Sequence, residues 1–91
     1  MKLPLNASIP QQVISRTVGE EIVILDLTAG TYFGLDAVGA YIWHHISDGK
    51  TFVEICDLVC GEYDVKREVV EHDILSLIEE LKARGLLLMV D

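Results

Sequence analysis

The rhythm of apolar positions changes once along this chain, at Asp36. Before that point the apolar residues come in short runs rich in β-branched side chains. Residues 12–18 alternate imperfectly and read as a strand. Residues 22–27 are apolar at nearly every position and too few for a helix, so they read as a second strand. Thr31–Leu35, with its aromatic pair, reads as a third. The links between them, Gly19-Glu20-Glu21 and Thr28-Ala29-Gly30, are short. Links of that length join antiparallel neighbours, because a parallel pair needs a long crossover. The pattern therefore predicts a three-stranded meander.

After Asp36 the spacing becomes helical. Asp36 is suited to cap a helix on which Val38, Ile42, Trp43 and Ile46 share a face, and Asp48-Gly49 stops it. Thr51 and Glu54 form a T-x-x-E capping box at the start of a second helix, which carries Phe52, Ile55, Leu58 and Val59. Residues 61–64 end that helix. A third is predicted over 66–84, with Val70, Ile74, Leu77, Ile78 and Leu81 as its stripe. Gly85 stands where a C-terminal glycine belongs, after Lys82 and Arg84 in the last turn. Residues 86–90 are β-prone and read as a short closing strand. The predicted class is α+β: a three-stranded antiparallel sheet packed on a three-helix bundle resembling a winged helix-turn-helix. Residues 1–91 form a single domain, and residues 1–11, which hold both prolines, form a loosely ordered arm.

Composition narrows the function classes. At 51% hydrophobic residues the chain is outside the range of disordered sequences, and 91 residues support one core. Fifteen acidic residues against seven basic ones give a formal charge of −8. Phosphate backbones and anionic membranes attract clustered Lys and Arg, so both partners are disfavoured. The would-be reading helix of a DNA-binding module carries Lys66, Arg67, Lys82 and Arg84 against Glu68, Glu71, Asp73, Glu79 and Glu80. That balance does not suit a phosphate-contacting surface. No run approaches the roughly 20 apolar residues of a membrane span, and residues 1–10 lack the apolar core of a signal peptide. Two cysteines are fewer than small secreted domains carry, which points to a reduced, cytosolic setting.

Candidate catalytic chemistry is sparse. Cys56 and Cys60 fall one helical turn apart and, with His44, His45 or His72, would supply zinc-ligand types. Both flank an apolar stripe, however, and read as small packing residues with no metal and no activated thiol. His44-His45 closes the first helix, where the dipole favours imidazolium. Nothing forms a nucleophile-base pair, a phosphate loop or a dinucleotide fingerprint. The chain reads as a non-enzyme without a cofactor.

Peptide binding remains. The third predicted strand ends the meander, so it is a sheet edge that must be covered or used. An extended peptide would add to it as a further strand. The long third helix is large enough to wall such a groove. With Ile74 at the centre of its core stripe and about 100° of rotation per residue, Val69, Asp73, Ser76 and Glu80 fall on one flank, with Leu77 at its border. That flank is mixed apolar and acidic, and suits a peptide with hydrophobic anchors and some positive charge. Binding of a different protein partner by an acidic winged-helix or transcription-regulatory domain is the alternative.

The segment Leu25-Asp26-Leu27-Thr28-Ala29-Gly30-Thr31-Tyr32-Phe33-Gly34-Leu35-Asp36-Ala37-Val38-Gly39-Ala40-Tyr41-Ile42-Trp43 resembles the PqqD-like family. Its order is an apolar strand, a turn, an aromatic strand ending in a Leu-Asp step, then a small-residue helix start and Ile-Trp. Asp48-Gly49-Lys50-Thr51, the Ile55 helix, Tyr63-Asp64-Val65 and Leu81-Lys82-Ala83-Arg84-Gly85-Leu86 continue the likeness, over about residues 12–88. The resemblance implies a RiPP recognition element, which binds the leader segment of a ribosomally made precursor peptide and presents it to modifying enzymes. It implies docking of the leader on Thr31, Tyr32, Phe33, Gly34 and Leu35, against the wall of Val69, Asp73, Ser76, Leu77 and Glu80, with Leu25 and Leu27 flooring the pockets. Tyr32-Phe33 and Gly34-Leu35-Asp36 look closer to free-standing lasso-peptide recognition proteins than to the pyrroloquinoline quinone chaperone. A lasso system implies a leader peptidase and a cyclase as partners.

Overall fold

A computed structural model describes residues 3–90. Its elements run β1 (Asn6–Ser8), β2 (Val13–Val18), β3 (Glu21–Asp26), β4 (Thr31–Leu35), α1 (Ala37–Ser47), α2 (Phe52–Glu62), α3 (Arg67–Ala83) and β5 (Leu88–Val90). The meander is present: β2, β3 and β4 form an antiparallel sheet in sequence order, with β3 in the middle. The class is α+β, with three helices beside this sheet.

The links have identifiable causes. Gly19 takes φ of +64° in the turn between β2 and β3, a conformation open to glycine at little cost. At the next turn the Asp26 carboxylate accepts from the backbone N–H groups of Thr28 at 3.0 Å and Ala29 at 3.1 Å. These bonds end β3 at Asp26, so Leu27 leaves the strand for the turn and is 58% exposed. Asp36 caps α1, accepting from the Gly39 N–H at 2.9 Å. The box on α2 closes both ways: Thr51 Oγ1 accepts from the Glu54 N–H, and Glu54 accepts from the Thr51 N–H at 2.8 Å. Gly85, at φ +73°, follows α3.

One contiguous core joins the layers. Ile22, Ile24, Trp43, Phe52, Ile55, Ile74, Ile78 and Leu81 are fully buried in it. Cys56 is buried there as well, and desolvation pushes its thiol pKa up, which suits packing and opposes reactivity. Cys60 is free and half-buried. Among the described residues, no three His, Cys, Asp or Glu side chains stand close enough to share a metal ion, and no helix is long and apolar enough to cross a membrane.

The arm is a correction. Residues 6–8, placed in a loose arm over 1–11, form β1 and pair antiparallel with β5, Asn6 opposite Val90 and Ser8 opposite Leu88. Ala7 is buried, and Leu5 O accepts from the Phe52 N–H at 3.0 Å. Residues 1 and 2 lie outside the described region. The closing strand also differs: Leu86 and Leu87 are core residues, and β5 begins at Leu88.

Candidate peptide-binding cleft

β4 is bonded to β3 along one side, and its other side is an edge of the sheet. Such an edge presents backbone N–H and C=O groups for a further strand. Alternation sends Phe33 and Leu35 inward, opposite Ile24 and Ile22, and sends Tyr32 and Gly34 outward, opposite Leu25 and Val23. Beside the edge, between β4, the first turn of α1 and the flank of α3, lies a hollow of about 440 Å³. Phe33, Leu35, Val38, Ile42 and Leu77 give it an apolar lining, and Asp73 stands at its wall. Gly39 belongs to the same wall, where a β-carbon would sit 3.2 Å from Leu35 Cβ. This close approach lets α1 start directly under the end of β4.

A second hollow of about 150 Å³ continues the cleft toward α2. It shares Val38, Ile42 and Asp73 with the first and adds Val69 and Tyr63. At the opposite end the Arg84 guanidinium lies 4.6 Å from the Phe33 ring centroid, a cation–π contact. Arg84 also pairs with Glu80 at 3.4 Å. Glu80 is thus partly neutralised within the fold, whereas Asp73 has no ion-pair partner among the described residues. The cleft therefore offers apolar pockets and two carboxylates without an ion pair among the described residues, Asp73 on α3 and the helix-capping Asp36.

The structure brings Phe33, Gly34, Leu35, Asp73 and Leu77 around the larger hollow, with Val69 at the smaller. Ser76 and Glu80 are exposed on α3 and line neither. Thr31 is exposed at the start of β4 and contributes only its place on the edge. Leu25 and Leu27 do not floor the pockets. Leu25 points to the outer face of the sheet, between Ile14 and Tyr32, because Ile22 and Ile24 occupy the inward positions of β3. Leu27 is in the turn. Tyr32 is on the outer face and 76% exposed. Sequence reasoning missed Val38, Ile42 and Arg84. Val38 and Ile42 sit one turn apart and were assigned to the core stripe of α1, yet Val38 is 40% exposed at the cleft. Arg84 gave a signal only as a last-turn cation.

Residues 21–87 match the family described as coenzyme PQQ synthesis protein D (PqqD). The chain belongs to the PqqD family. Two solved structures are similar to it. One, described as TbiB1 in complex with the TbiA(beta) leader peptide, is 44% identical over 88% of this chain and 93% of that one, with a TM-score of 0.85. The other, a lasso peptide synthetase B1 complexed with the leader peptide, is 26% identical over 91% of this chain and 98% of that one, also with a TM-score of 0.85. No curated protein matches the chain. Both of these solved structures hold a leader peptide.

Proposed function

We propose that this PqqD-family chain is a non-catalytic adaptor that binds the leader segment of a ribosomally made precursor, a lasso peptide precursor, in the cytosol. The leader adds as a strand to the free edge of β4, and its inward side chains enter the cleft between β4, α1 and α3. Backbone pairing supplies affinity, and the two hollows supply register. Once held, the precursor is presented to a leader peptidase and a cyclase. The observation that carries this reading is the union of a free strand edge with a contiguous apolar cleft and the unpaired Asp73. The similarity to two leader-bound structures supports it. A DNA-directed regulatory role is not favoured, since α3 carries Glu68, Glu71, Asp73, Glu79 and Glu80 against Arg67 and Lys82.

Fluorescence polarisation with the labelled cognate leader tests the proposal. Leu77→Ala removes an apolar wall and is expected to weaken binding about tenfold, a loss of roughly 1.4 kcal/mol. Asp73→Ala removes an exposed charge, so the expected loss is a few-fold, and it shrinks as salt rises. Unchanged affinity in both variants would sink the cleft assignment. A proline placed within the docking segment of the leader removes a ladder hydrogen bond and is expected to weaken the complex as well.

A further inference from the structure

The flank of α3 opposite the cleft borders another hollow, of about 530 Å³, which the cleft does not use. Ile78 forms its buried floor, and Leu3, Leu5, Leu75 and Met89 give it apolar sides. Leu5 stands on the rim, 57% exposed, yet its backbone is anchored, because Leu5 O accepts from the Phe52 N–H at 3.0 Å. An exposed leucine held in place beside a hollow is a knob next to a hole. An apolar surface of this kind on a small domain marks an interaction site.

The charges around the hollow say what covers it. Among the described residues, two charged side chains border it, Glu79 and Lys82. They stand about one turn apart on α3, and neither is in an ion pair among the described residues. With fifteen acids against seven bases, most of this chain's surface repels a second copy of itself. This patch is locally neutral, with one acid and one base.

Knob beside hole and free acid beside free base share one property: each patch carries its own complement. A two-fold axis turns such a patch onto itself, since in an isologous contact residue i meets residue j and j meets i. Set between positions 79 and 82, the axis lays two α3 helices antiparallel and brings Glu79 of each copy to Lys82 of the other. Two ion pairs then close around an apolar centre, and each Leu5 faces the hollow of the other copy. The remaining acids avoid this seam. Glu68 and Glu71 lie beyond the crossing, where the opposing helix has already ended at Ala83, and Glu80 is paired with Arg84. We infer that a second copy of this chain docks here, giving a two-fold dimer through the back flank of α3 and residues 3–5. The inference goes beyond the leader-binding reading and does not depend on it. The helix separates this surface from the cleft, so each copy keeps its β4 edge free, and the dimer carries two clefts.

Sedimentation equilibrium from about 1 μM to about 1 mM protein reads the association. The wild-type chain is expected to pass from monomer to dimer mass over this range. Glu79→Lys leaves cations facing each other across the axis, and Lys82→Glu leaves carboxylates facing each other. Each is expected to weaken self-association at least about tenfold. The double reversal Glu79→Lys/Lys82→Glu restores both pairs and is expected to regain the wild-type dimer. An equimolar mixture of the two single variants is expected to form a mixed dimer, since its charges are again complementary. Leu5→Ser, which keeps the backbone bond to Phe52, is expected to weaken the dimer as well. Circular dichroism checks that each variant is folded. A wild-type chain that stays monomeric throughout the range overturns the proposal. So does a dimer that both folded single charge variants leave intact, or one that neither the double reversal nor the mixture restores.

Discussion

Asp36 does three things with one short side chain. It follows the last residue of β4, caps α1 through the Gly39 N–H, and lines the larger hollow of the cleft. Asp36→Ala is expected to cost about 1 kcal/mol of stability by urea denaturation, whereas Asp36→Asn, which keeps an acceptor oxygen, retains most of it. Both caps, Asp36 and Thr51, were legible in the sequence because an oxygen before an apolar helical stripe has a local meaning. Asp26 was not legible. Its carboxylate organises the turn before β4, but an acid inside an apolar run announces no direction. Leu25 was misread for a related reason. With Ile22, Val23, Ile24 and Leu25 all apolar, alternation cannot say which pair faces the helices, and only the packed sheet decides.

Among the elements, the three helices were the most legible, because each has a stripe and most have a local stop or start. α2 also carries a titratable cap. The Thr51 N–H and hydroxyl donated to Glu54 hold its carboxyl below the ordinary value of 4.5. The folded-state pKa is depressed, so the stabilisation from ionised Glu54 is complete above the unfolded value and is lost as pH falls through the lower, folded one. Glu54→Gln is expected to flatten this contribution to the acid limb, seen in urea midpoints measured from about pH 5 to about pH 3. Equal acid sensitivity in the variant would remove Glu54 as its source. β1 was illegible because three residues, Asn-Ala-Ser, carry neither alternation nor β-branching. They are a strand only through pairing with β5, whose residues lie 80 to 84 positions away in the chain.

Taken whole, the molecule uses α3 as a partition. The stripe of Val70, Ile74, Ile78 and Leu81 is buried, Asp73 and Leu77 face the cleft, and Leu75, Glu79 and Lys82 lie on the opposite flank, beside Leu3–Leu5 and Met89. The β1–β5 pair is therefore separated from the cleft by the width of a helix. Deleting residues 1–8 removes the acceptor of the buried Phe52 N–H, and is expected to cost about 1–3 kcal/mol while leaving leader affinity intact. Thermal melts and polarisation on the same preparation check both halves. Much of the acidic charge is spread over the helices, and Asp73 and Asp36 both stand at the cleft without an ion pair among the described residues. Because Asn6 lies opposite Val90, the two ends of the described fold emerge side by side, behind the partition. A chain whose ends meet in this way can be spliced into a surface loop of a host protein, carrying its binding edge as an insertable cassette and leaving the host continuous on both sides of the joint.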